Sequence, residues 1–177
     1  MSSDKISVAD QLLLIQQAKN YLKKDPTMLE MCQEHNVDIN DIDLIPVKFD
    51  HIDVSAITEH GIVILNYKLL ENDEFMNNIH YLVHEFKHYW DQSEKPTRSA
   101  NDGPYLANKD ELNAFQPQIK FISDHEGKEK AEQYVEQVLD HHDEHGKERA
   151  ETKDVLMEKV ERLFTSSLNK LSFDMEK

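Results

Sequence analysis

Residues 75–92 read FMNNIHYLVHEFKHYWDQ, and their spacing predicts a helix with two unlike faces, running from near Asp73 to about Gln92. Phe75, Ile79, Leu82, Val83, Phe86 and Trp90 fall within an arc of roughly 100° when each residue advances about 100° round the axis, the width of a core-facing stripe. His84 and His88 project roughly 150–190° from the centre of that stripe, so they face a cleft or water rather than the core. Residues four apart stand one turn apart on one face, so the HEFKH segment can present two imidazoles to one tetrahedral zinc. A pair of solvated histidines on an exposed face fits the same geometry. Glu85 is offset round the helix, where it can contact a water instead of the metal.

What flanks this helix decides the fold class. Ser7 and Asp10 resemble a capping box, and Val8, Leu12, Ile15 and Leu22 recur at helical spacing, predicting an amphipathic helix over about 8–23. Asp25-Pro26 ends it, and a shorter helix follows over about 27–35. The stretches LIPVKF (44–49), VSAIT (54–58) and IVILN (62–66) are rich in β-branched residues, with Thr58-Glu59-His60-Gly61 as a tight turn between the last two. These predict a small antiparallel sheet in which Pro46, lacking a backbone donor, marks an edge strand or its end.

Beyond the helix, SEKPTRSANDGPY reads as a loop and KDELNAF (109–115) opens another helix, which Pro117 would kink or restart. Ala131, Tyr134, Val135, Val138 and Leu139 then form one apolar stripe. Leu156, Val160, Leu163, Phe164, Leu168 and Leu171 form a second, with Gly146 between them. The expected architecture is therefore α+β: a domain over 1–124 and a C-terminal helical hairpin over 125–177 whose stripes serve as core contacts or as a homo-oligomer face.

Two histidines do not complete a zinc site, and a third protein ligand is expected from a later element. The candidate is Glu111. It lies at the edge of the side formed by Leu112, Phe115, Ile119 and Ile122, where a carboxylate can reach inward beside packed neighbours. The alternative is a solvated first-turn glutamate favoured by the helix dipole.

A strand GIVILN, a helix with HEFKH followed by YW, then a loop and a helix opening with ELNAF together resemble the small gluzincin-type zinc metallopeptidases. The likeness is nearest to minimal intracellular and phage- or plasmid-type metallopeptidases, with ImmA/IrrE-like and SprT-like proteins more distant, and it covers residues 44 to about 122. It implies a zincin-like fold, zinc held by His84, His88 and Glu111, Glu85 as general base and acid, and Ala114 as the small residue after the third ligand. It also implies a protein or peptide substrate laid along an edge strand at 54–58 or 62–66. Tyr105 is then a candidate donor to the oxyanion of a tetrahedral intermediate. The chain departs from the pattern in its charged Lys87 between the histidines, and in having no acid four residues after Glu111.

Other features constrain partners. With 20 basic and 35 acidic residues the formal charge is −15, which disfavours tracking of phosphates, so no nucleic acid is expected. The one short apolar run near the start, LLLI, is too brief for a bilayer, and the single Cys32 fits a reducing, cytoplasmic setting. His80 is expected to line a cleft entrance without taking part in chemistry. The DHHDEH run (140–145) is expected to be solvated. Two rival readings stay open: a zincin-like module that binds without catalysis, and an acidic interaction protein with no metal.

Overall fold

The computed structural model describes residues 6–73, 75–94 and 105–174, without the side chains of residues 72, 73 and 163–174. Residues 1–99 and 100–177 form two compact units. Among the described residues no helix is long and apolar enough to cross a membrane.

The first unit opens with α1 (Val8–Leu22), capped by the Ser7 side chain, which accepts from the Asp10 amide at 3.1 Å. Its expected stripe is only half buried. Ile15 and Leu22 are inside, with Ala18, whereas Val8 and Leu12 are 70% and 58% exposed. In α2 (Pro26–Glu34) proline takes the first position, where its missing donor costs nothing, and Asp25 accepts from the Thr27 and Met28 amides. Met28, Met31 and Cys32 pack inward. A 3-10 stretch over Ile39–Leu44, closed by a capping box between Asp38 and Asp41, buries Ile42.

The sheet has three strands, β1 (Val47–Asp50), β2 (Ala56–Glu59) and β3 (Ile62–Asn66), in the order β1-β3-β2. It is mixed rather than antiparallel. β2 and β3 form the expected hairpin, with Ala56 opposite Leu65, and its turn residues His60 and Gly61 both take positive φ (51° and 73°), as a tight two-residue hairpin turn requires. β1 instead runs parallel to β3, Val47 beside Val63. The cause lies in the link at 51–55, which reverses the chain but sets β2 one strand position further on, leaving the place beside β1 for β3. Asn66 holds that link, its amide donating to the carbonyls of Ile52 at 2.5 Å and Val54 at 2.8 Å. Pro46 sits just before edge strand β1, its carbonyl accepting from Val63 at 2.9 Å.

The helix that carries HEFKH, α3 (His80–Glu94), begins later than its apolar spacing predicts. Tyr67–Asp73 and Phe75–Asn78 are 3-10 turns, in keeping with the Asn72, Asp73, Asn77 and Asn78 that crowd this stretch and disfavour helix interiors. α3 lies against β2 and β3. Ile79, Leu82, Val83, Phe86 and Trp90 are buried, as the stripe requires, and Phe75 is buried in the 3-10 turn before them.

In the second unit Asn108 caps α4 (Lys109–Glu126), accepting from the Asp110 amide at 2.9 Å. The helix runs through the buried Pro117 without a fresh start. Gly127, with φ of 95°, separates it from α5 (Lys128–His141), and Gly146, with φ of 61°, begins α6 (Gly146–Asp174). Phe115, Ile119 and Ile122 of α4, Ala131, Val135, Val138 and Leu139 of α5, and Leu156, Met157 and Val160 of α6 make one core, with Leu106 joining it. Residue 124, the expected limit of the first domain, lies near the end of α4. Of the expected second stripe, Leu156 and Val160 are buried, and the side chains of Leu163, Phe164, Leu168 and Leu171 lie outside the described residues.

Candidate metal centre

One turn of α3 sets His84 above His88, and the Nε2 atoms of the two rings stand 3.0 Å apart. Both residues are only 5% exposed, so they are not a solvated pair. Facing nitrogens at that separation can coexist in two ways. Either one ring carries the Nε2 proton and the other accepts it, or both lone pairs point at a shared cation. Two imidazole nitrogens bonded to one tetrahedral zinc at its usual bond length would be about 3.3 Å apart, close to the observed spacing.

Glu85, also 5% exposed, is held from the sheet: the Thr58 hydroxyl of β2 donates to its Oε2 at 2.7 Å. A buried carboxylate needs such a donor, because losing water without a replacement is costly. Thr58 itself is almost fully buried. Nothing in its sequence surroundings marks it out, since a threonine in a β-strand is ordinary and its partner lies 27 positions away.

Glu111 stands in the first turn of α4, where the dipole favours a carboxylate, and is 7% exposed. The Tyr105 hydroxyl donates to its Oε2 at 2.5 Å. Taking one donor atom from each, His84, His88 and Glu111 lie within 4.8 Å of one another, so this buried group could hold a metal ion. It is the one such group of three or more ligating residues among the described residues. Two imidazoles and a carboxylate are a donor set common to divalent transition-metal sites that keep a position for water or substrate.

The other candidate residues fall outside that group. His80 is buried against Tyr81, and burial, with His84 adding to it, pushes its imidazole pKa down to about 4. Within DHHDEH, Asp140 pairs with Arg149 at 2.8 Å, while the His142 ring stacks on Tyr105 with centroids 4.5 Å apart. The charge of Lys87 is met by Asp91 at 2.8 Å, and its amine also donates to His35 Nε2 at 2.8 Å. Trp90 packs near Phe86 and His35 in the interior, which accounts for it without base stacking.

Compared with protein-family models, with curated proteins and with solved structures, the chain finds no match.

Proposed function

We propose that the protein is a zincin-like, zinc-dependent hydrolase of peptide bonds, with His84, His88 and Glu111 as the metal ligands and Glu85 as the general base. The observation that carries this reading is the buried His84, His88 and Glu111 group with Glu85 beside it on the same turn of α3. Zinc, when bound there, supplies Lewis acidity, polarising a carbonyl oxygen and bringing the pKa of water to about 7.

The rest of the work belongs to the chain's own side chains. Glu85 takes a proton from the water as its oxygen adds to the carbonyl carbon. It then returns that proton to the departing amine as the C–N bond breaks. Thr58 donates to Oε2 of Glu85, which orients the carboxylate. An extended peptide can add to the sheet only at an edge, and β2 is one such edge whereas β3 is central. This favours 56–59 over 62–66 as the strand that receives substrate.

Glu85→Gln tests the reading directly. The variant should bind zinc as the wild type does and should lose peptide hydrolysis by at least about 100-fold, the scale of general acid–base catalysis. Equal turnover of a peptide library by both proteins, or none by either when zinc-loaded, would leave the site without the proposed catalytic role.

A further inference from the structure

We infer that Tyr105 is a positioning residue for the third metal ligand: clamped by the ring of His142, its hydroxyl fixes the Glu111 carboxylate for the ion. The inference rests on the metal-site reading above and extends it to residues outside the ligand set.

Tyr105 opens a short 3-10 turn, Tyr105–Ala107, that leads straight into α4. Its carbonyl accepts from the Asn108 amide at 3.1 Å, and Asn108 in turn caps α4. The neighbouring Leu106 is 3% exposed and belongs to the core of the second unit. These contacts hold the backbone that leads from Tyr105 into α4. The Tyr105 ring is set by two aromatic walls, His142 nearly parallel at 15° and Phe115 edge-on at 79°.

What this framework aims is a single proton. A phenol has one O–H, and that of Tyr105 goes to Oε2 of Glu111 at 2.5 Å. A carboxylate on a free side chain samples several rotamers and can bind through either oxygen or both. With Oε2 engaged and the chain held, the carboxylate meets the ion already oriented and with little entropy left to lose. A hydroxyl so engaged is not waiting for substrate, which separates this role from that of an oxyanion donor. The stacking also gives His142 a use: it supports the tyrosine and is not itself a ligand.

The test is metal affinity in the full-length protein, measured with Zn2+ against a competing chelator and with Co2+ by its visible absorption. Tyr105→Phe keeps the ring and its stacking and removes only the hydroxyl, so folding should be preserved. It should weaken Zn2+ binding about tenfold or more, the usual effect of removing a partner that orients a ligand, and should alter the Co2+ spectrum. His142→Ala should weaken binding in the same direction, while His142→Phe, which retains a stacking ring, should restore it. In a Glu111→Ala background Tyr105→Phe should add no further loss, because the two residues act as one unit. Wild-type affinity and an unchanged Co2+ spectrum in Tyr105→Phe would overturn the inference and leave the metal site standing. A wild-type protein that takes up neither ion would overturn the metal site itself, and this inference with it.

Discussion

At the scale of single residues, His80 shows how burial changes a side chain one turn away from the candidate metal-binding pair. It is 8% exposed, and its imidazole is held neutral down to about pH 4. The unfolded chain protonates the same group near its ordinary value of 6.5. Below that pH the unfolded state therefore binds a proton that the folded state refuses. The associated stability is complete above pH 6.5, falls as the pH drops, and is gone near pH 4, a change on the order of 3 kcal/mol. Urea denaturation of the metal-free protein between pH 7.5 and 4 should show this slope, and His80→Asn should remove that part of it. A slope unchanged in the variant would assign the acid sensitivity to other groups. The residue scale is also where the sequence was most legible. Four-residue spacing placed His84 and His88 together, and the edge position of Glu111 made it the third candidate. Their burial was not legible, because helical periodicity tells which side a residue faces but not what covers that side.

Among elements, the tie between β2 and α3 has the most direct consequence. The Thr58 hydroxyl supplies Glu85 with a donor inside the protein. Thr58→Val keeps the shape and removes that donor, so it should destabilise the metal-free fold by about 1–3 kcal/mol, and Thr58→Ser should recover most of the loss. Chemical denaturation of the three proteins checks this; a valine variant as stable as wild type would mean that the carboxylate is satisfied elsewhere. The helices and the β2-β3 hairpin followed from periodicity, caps and the His60-Gly61 turn. The direction of β1 did not, because parallel or antiparallel pairing is set by the path of the connecting chain and not by strand composition. Asn66 fixes that path through contacts 12 and 14 positions away. The late start of α3 has a local cause, since four Asn and Asp residues outweigh an apolar spacing that continues through them. Pro117 shows the reverse case, in which a helix covered by its unit's core keeps going through a residue that favours a break.

For the whole molecule, composition limits partners more than it defines function. A formal charge of −15 argues against phosphate tracking, and the described residues contain one buried group fit for a metal. The α+β class was readable from the change between period-two and helical spacing along the chain. The His84, His88 and Glu111 group was readable only as three candidates, since no local pattern brings Glu111 to the histidines. The direct measurement is the zinc content of the purified protein by elemental analysis, wild type beside Glu111→Ala. About one ion per chain in the wild type, with clearly weaker retention in the variant, is the result predicted by a three-ligand site. No zinc in the wild type, even after reconstitution, would contradict it and reduce HEFKH to an accident of composition.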